Sequence, residues 1–277
     1  LFAKNNNGLF KLRIEDTDIK RSTNEAKEAI LNGLKWLDLN WDEEEVYQSK
    51  RIERHKQVGN ELLELGHAYK CYCSPEELSE MRDKAREEKR APKYNGKWRE
   101  KNESEAPKNI KPVIRIKCPQ SGITTINDVV QGEISINNNE LDDFIIMRSD
   151  GTPTYMLSVV VDDYDMGVTH VIRGDDHFTN TFRQKQIYNA LNWKIPIYAH
   201  IPLIHGMDGG KLSKRHGALG VENYDDMGYL QESMLNYLLR LVWSHGDKEI
   251  ISREEAIKLF NLDSIGKSSA KFDIERL

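Results

Sequence analysis

Residues 168–173 read Val-Thr-His-Val-Ile-Arg, an apolar-rich stretch that ends at once in Gly174-Asp175-Asp176-His177. A helical run from about Asn180 to Leu191 follows, then a second short strand from about Tyr198 to Ile204. Strand, charged corner, helix, strand is the unit from which parallel sheets are wound, because parallel neighbours need a crossover long enough to hold a helix. The start of the chain repeats it. Phe10, Leu12 and Ile14 alternate with Lys11, Arg13 and Glu15, the period of a strand, and Asp16-Thr17-Asp18 closes it. Ser22 with Glu25 predicts a capping box, opening a helix with Ala26, Ile30, Leu34 and Leu37 on one stripe. A second helix is predicted from about Ser49 to Leu65, with Gly66 as its stop.

The pattern breaks near Tyr69 and resumes near Thr154. Between them lie a charged helix from about Pro75 to Lys89, a loop, and short strands near Val113–Ile116, Gly132–Ile136 and Phe144–Met147, closed by an Asp150-Gly151 turn. This reads as an inserted α+β module. From Tyr229 onward the chain reads as helical, with Leu235, Leu238, Leu239 and Val242 as core positions. The 277 residues allow two compact domains, or one domain with a large insertion. No apolar run approaches the ~20 residues of a membrane span, and no signal peptide is visible. Three cysteines make no disulfide framework, so a reducing cytoplasm is expected. A net charge of -5 argues against a uniformly basic nucleic-acid-binding surface, but with 31% charged residues local basic patches stay open. The opening Leu1-Phe2-Ala3-Lys4 reads as the tail of a helix already under way, and a fragment of a longer protein is expected.

Three charged clusters stand just past predicted strands: Glu15-Asp16, Arg173 to His177, and Asp208-Gly209-Gly210-Lys211-Leu212-Ser213-Lys214-Arg215. Open α/β sheets bind ligands outside the carboxyl ends of their strands, so the three are expected on one rim. The glycine pair followed by Lys211, Lys214 and Arg215 suits a mobile loop closing on a polyphosphate, where charge shifts onto departing pyrophosphate. It is not a Walker loop, because no G-x-x-x-x-G-K-[ST] occurs. Glu15 and Asp16 can grip an ammonium group or serve as helix-terminal anions near Ser22. Arg173 can pair with a substrate carboxylate or with Asp175 or Asp176. His177 can contact a nucleotide or cap the next helix. A serine hydrolase is unsupported, as no G-x-S-x-G is present. Cys71-Tyr72-Cys73 has the start of a zinc site but no second ligand pair, since the next cysteine is Cys118 with no histidine near it. No bound metal is expected from it.

Arg13-Ile14-Glu15-Asp16-Thr17-Asp18, Val160-Val161-Asp162-Asp163, Val171-Ile172-Arg173-Gly174-Asp175-Asp176-His177 and Lys211-Leu212-Ser213-Lys214-Arg215 stand in order. Cys71-Tyr72-Cys73-Ser74-Pro75-Glu76-Glu77-Leu78, Asp150-Gly151-Thr152-Pro153-Thr154-Tyr155 and Phe272-Asp273 join them. This combination resembles bacterial glutamyl-tRNA synthetases, class I aminoacyl-tRNA synthetases, over essentially the whole chain. The resemblance implies a Rossmann-type catalytic domain split by an α+β acceptor-stem-binding insertion and followed by a helical stem-contact region. The divisions expected are residues 1–69, 70–154, 155–219 and 220–277. It implies activation of L-glutamate with ATP, taken with Mg2+, and transfer to the 3' end of tRNA-Glu. Charging of tRNA-Gln as well is left open, and a monomer is expected. Glu15 is implied to hold the substrate amino group, Tyr155 to line the amino-acid pocket, and Arg173 to hold the side-chain carboxylate. Asp176 and His177 would lie near the ATP ribose or adenine, and Arg21 near the acceptor end of the tRNA. Lys211, Lys214 and Arg215 form the signature loop, with Lys214 on the phosphates.

The chain departs from that pattern in three places. The His-Ile-Gly-His type motif and the first strand, which in the family lie just upstream of the match to Leu1, are absent, so the piece alone is expected to be inactive. The chain stops near where anticodon-binding helices would begin. The second half of the zinc pattern falls on Trp98-Arg99-Glu100, and no zinc is expected. A glutamyl-queuosine tRNA synthetase is opposed by the helical stretch from Tyr229, and a glutaminyl enzyme by the form of the Arg13 to Asp18 motif. A non-catalytic tRNA-binding paralogue is opposed by the intact lysine loop.

Overall fold

The computed structural model describes residues 1–17, 22–212 and 220–277. One helical turn, α1 (Phe2–Asn5), precedes β1 (Arg13–Ile14), α2 (Asn24–Trp36), β2 (Val46–Tyr47) and α3 (Ile52–Glu64). β1 and β2 pair in parallel across the α2 crossover. The cap of α2 is Thr23, whose hydroxyl accepts the Ala26 amide at 3.2 Å, one residue later than the predicted Ser22 box. The predicted stripe is also displaced. Ala26 and Ile30 are exposed, while Gly33 and Leu37 are buried. α3 forms where a helix is predicted, with Val58 and Leu62 fully buried, while Leu65 just past its end is exposed.

β3 (Ala68–Cys71), α4 (Pro75–Glu87), β4 (Val113–Ile116), β5 (Ile123–Asp128), β6 (Gly132–Asn137) and β7 (Ile145–Met147) follow. α4 starts with Pro75 behind a Ser74–Glu77 capping box, which satisfies two amides at its exposed end. Sequence periodicity did not announce β3 and β5. β3 pairs with β4, and β4 with β7, in an antiparallel sheet. The β5–β6 hairpin belongs to a different sheet, ordered β6-β5-β9-β8.

α5 (Tyr155–Asp165), β8 (His170–Gly174), α6 (Phe178–Ala190) and β9 (Ile197–Ile201) restore the α/β order. α5 is buried continuously from Leu157 to Asp163. A helix buried on every side, here with Asp162 and Asp163 held in ion pairs, shows little amphipathic period, and the β-branched Val159-Val160-Val161 disguises it further. β8 and β9 are parallel over five residues, which sets Arg173 beside His200. Leu62, Ile116, Ile146, Leu157, Val161 and Ile187 pack into the main core.

The remaining helices are α7 (Val221–Asp226), α8 (Gln231–Val242) and α9 (Arg253–Leu259). The last segment is therefore not helical throughout. Trp243 bridges to Ile265, and Lys271 to His205. Trp243, Ile251, Phe260 and Ile265 form a second core that also takes in Val130 and Ala199, binding the C-terminal segment to the β5–β9 sheet.

Candidate active site

An open cleft of about 2040 Å³ runs along the ends of β1 and β8, and its walls include Arg13, Glu15, Tyr155, Asp163, Arg173 and His177. Two of the three predicted clusters therefore meet. Arg173 enters from the carboxyl end of β8. Its Nε donates to His200 Nε2 at 3.0 Å. Its Nη2 donates to Thr181 Oγ1 at 2.8 Å, Gln184 Oε1 at 2.9 Å and the His177 carbonyl at 3.3 Å. The Tyr198 ring lies beside it, 5.5 Å from the guanidinium carbon. Among the described residues no carboxylate forms an ion pair with Arg173; Asp176 instead meets Lys211, at 2.5 Å. A guanidinium held in place by neutral acceptors keeps its charge available for an anionic ligand.

Arg13 bridges two carboxylates, Asp163 Oδ1 at 2.7 Å and Glu15 Oε1 at 3.1 Å. Burial works against the Arg13 charge, but Asp163 and Glu15 outweigh it and raise its pKa. Glu15 stays partly exposed on the cleft wall. Asp16 turns the other way. It is buried and accepts the Ser49 amide and hydroxyl, each at 2.8 Å, and Lys27 at 2.7 Å. It braces the corner after β1 and is not a second grip for an ammonium group. Tyr155 starts α5, and its hydroxyl lies 3.3 Å from His177 Nδ1, with burial raising the phenol pKa. Asn180 Nδ2 stands 3.3 Å from the same nitrogen.

The segment after β9 folds back as a narrow hairpin. His205 bridges to Lys211, and the Leu212 amide donates to Ile204 at 3.1 Å. Gly209 takes φ +81° at its tip, a left-handed conformation that favours glycine. Phe272 and Asp273 secure its base. The Phe272 amide donates to the His205 carbonyl at 2.8 Å, and the Asp273 amide to the Tyr237 hydroxyl at 2.7 Å. The hairpin thereby carries Lys211 back to the turn that follows β8.

The profile of the class I tRNA synthetases (E and Q), catalytic domain, matches residues 1–277. The chain belongs to this family. It is similar to the glutamate–tRNA ligase 2 of Rhodospirillum rubrum, with 59% identity over all of this chain and 59% of that protein. The glutamate–tRNA ligase of Azorhizobium caulinodans is 60% identical over the same shares. Among solved structures, the glutamate-tRNA synthetase of Elizabethkingia anophelis superposes with a TM-score of 0.88 at 33% identity, covering 99% of this chain and 63% of that one. A glutamate tRNA ligase from Elizabethkingia meningosepticum, in complex with its amino acid, gives 0.89 at 33% identity over 99% and 62%. The chain spans about 59% of the length of the curated relatives it matches.

Within this class I synthetase fold, Glu15, Tyr155, Arg173 and His177 line one cleft, and Lys211 and Asp176 pair beside it. Arg21, Ser213, Lys214 and Arg215 lie outside the described residues. Sequence reading missed the supports. Asp128 and His200 stand behind Arg173, Asp163 anchors Arg13, and Thr181 and Gln184 reach back from α6. The only signals were a histidine inside an apolar strand and an i, i+3 pair of polar residues on a helix. At the Cys71-Tyr72-Cys73 turn, Tyr94 takes the space near both sulfurs, its hydroxyl 3.4 Å from Cys71 Sγ and 3.9 Å from Cys73 Sγ. Trp98 closes the cluster. Burial and the neighbouring Cys71 push the Cys73 thiol up to about 11. Among the described residues, no group of three or more His, Cys, Asp or Glu could hold a metal ion, and no helix is long and apolar enough to cross a membrane.

Proposed function

We propose that the protein is a glutamate–tRNA ligase and that the cleft between β1 and β8 binds L-glutamate. The observation that carries this reading is Arg173, a guanidinium with only neutral partners in a cleft that Glu15 also lines. A cation and an anion lining one cleft match the two ends of an amino acid with an acidic side chain. Arg173 takes the side-chain carboxylate, Glu15 the ammonium group, and Tyr155 lines the pocket between them. The substrate α-carboxylate then attacks the α-phosphorus of ATP. A new C–O–P linkage forms, the bond to the β-phosphate bridging oxygen breaks, and pyrophosphate leaves. In the second step a terminal ribose hydroxyl of tRNA-Glu attacks the activated carbonyl, and AMP departs. Neither step needs a covalent enzyme intermediate, so positioning and charge stabilisation dominate.

Asp176 and His177 are assigned to the ribose or adenine side of ATP, with His177 also reaching the amino-acid pocket through Tyr155. Lys211, Lys214 and Arg215 are assigned to the phosphates of ATP, which enters as its Mg2+ complex with the ion carried by those phosphates. Arg21 is assigned to the tRNA acceptor end. Residues 1–69 and 155–219 are taken as the catalytic unit, 70–154 as the acceptor-binding insertion, and 220–277 as the stem-contact region. The cytoplasm is the compartment assigned, as a place where charged tRNA is used. The names of the relatives support the glutamate specificity.

The test is glutamate-dependent ATP–pyrophosphate exchange by the full-length protein, with and without tRNA. Exchange with glutamate in the presence of tRNA is expected. Exchange driven by glutamine, or none with either amino acid, overturns the reading.

A further inference from the structure

Asp128 ends β5 at the single residue pair, Asp128 with Tyr198, that joins the hairpin to β9. Only 4% of it is exposed. Its Oδ1 accepts the amides of Val130 at 3.0 Å, Gln131 at 2.9 Å and His200 at 3.1 Å. Its Oδ2 shares the His200 amide at 3.1 Å and lies 2.6 Å from His200 Nδ1. Burial works against the carboxylate, but these hydrogen bonds outweigh it and hold its pKa below the ordinary value. Facing an ionised acceptor, His200 Nδ1 carries the imidazole proton.

The consequence falls on the other ring nitrogen. With the proton on Nδ1, Nε2 presents a lone pair, with Arg173 Nε 3.0 Å and the Thr181 hydroxyl 3.2 Å from it. A guanidinium can only donate, so the opposite tautomer would set N–H against N–H. His200 is fully buried, and burial lowers its pKa against the pull of Asp128. The imidazole thus stays uncharged between a buried anion and a cation. A carboxylate touching Arg173 directly would neutralise it, whereas one placed behind a histidine aims it and leaves its charge for the ligand.

We propose that Asp128 and His200 are positioning residues that fix the direction of the Arg173 guanidinium and so set the preference for a substrate bearing a side-chain carboxylate. This rests on the reading of Arg173 as the contact to that carboxylate. Asp128→Asn is the informative change. Three backbone amides hold an oxygen at the Oδ1 position, so the new amide nitrogen faces His200 Nδ1 and drives the ring proton to Nε2. The Val130 and Gln131 contacts to Oδ1 are kept, the His200 amide is left with Oδ1 alone, and the acceptor for Arg173 is lost.

The experiment is ATP–pyrophosphate exchange by the full-length protein with tRNA, comparing the parent with Asp128→Asn, Arg173→Ala and the double variant. Losing one hydrogen bond to a charged group predicts that Asp128→Asn raises the glutamate KM roughly ten- to hundredfold, shifts the ATP KM by less than about twofold, and lowers the glutamate-over-glutamine ratio of kcat/KM. In the Arg173→Ala background the same change adds nothing further, because the pair acts only through Arg173. A purely structural role would lower the amount of active enzyme and leave both the ratio and the KM values alone. If Arg173→Ala leaves the glutamate KM unchanged, the reading of Arg173 itself falls. If Arg173→Ala raises it and Asp128→Asn does not, only the positioning role is overturned. Should Asp128→Asn not fold, His200→Gln and His200→Leu decide. Gln can present an oxygen to Arg173 and Leu cannot, so a smaller rise in glutamate KM is expected for Gln. Equal effects overturn the proposal.

Discussion

Lys211 Nζ lies 2.5 Å from Asp176 Oδ2, joining the hairpin after β9 to the turn after β8. The Lys211 contact outweighs burial, which works the other way, and holds the Asp176 carboxyl below its ordinary range. Both side chains are partly open to solvent, so the pair contributes at most about 1 kcal/mol to stability. Asp176→Asn is expected to leave the melting temperature nearly unchanged while raising the KM for ATP in the exchange assay. A large drop in melting temperature with normal ATP kinetics would make the pair structural.

Arg173→Ala is expected to raise the apparent glutamate KM by at least about tenfold, with a much smaller change for ATP. Arg173→Lys should recover little. An ammonium group cannot reproduce the fork that meets His200, Thr181 and Gln184 at once. Steady-state exchange kinetics in both substrates check this. Equal rises in the two KM values would move Arg173 out of the amino-acid pocket.

Asp16 predicts a pH dependence. Burial raises its pKa, but hydrogen bonds from Lys27 and Ser49 outweigh this, so the folded value is below the ordinary 3.8. A depressed carboxyl contributes stability that is present above the unfolded pKa and is lost as pH falls through the folded one. Asp16→Asn should therefore cost roughly 1–3 kcal/mol at neutral pH, with parent and variant converging as pH drops below about 4. Urea denaturation across that range measures the gap; a constant gap would contradict the assignment.

The Cys71–Cys73 turn predicts no structural zinc. Tyr94 lies against both sulfurs, and among the described residues no third Cys, His, Asp or Glu joins them in a group that could hold a metal ion. Protein purified without chelator should carry well under one equivalent of zinc and show the same melting temperature after EDTA. About one equivalent, with a chelator-dependent melting temperature, would refute this.

Elements with a strong local signature stood out in the sequence. The α3 helix, β4 and the β8–α6–β9 unit could be read from periodicity and chain punctuation. α5 could not, because burial on every side removes the amphipathic signal. The α2 stripe was misplaced because Ile30 satisfies the helical period yet faces solvent. Periodicity finds a helix but does not say which face meets a neighbour.

The residue types at strand ends came from sequence alone. So did the alternation that makes an α/β sheet, and the ordered motifs that mark a class I synthetase. They are local in the chain, and their chemistry needs no partner to be recognised. Which of the ambiguous groups line the cleft was decided only by tertiary structure. Glu15 and Asp16 are adjacent, yet one lines the cleft and the other is locked behind Ser49 and Lys27. Arg173 has two aspartates within three residues, yet its partners are His200, Thr181 and Gln184. The anion behind His200, Asp128, is 72 residues away from it. Hydrogen bonds follow distance in space, and only the parallel pairing of β8 and β9, with β5 alongside, brings these groups together.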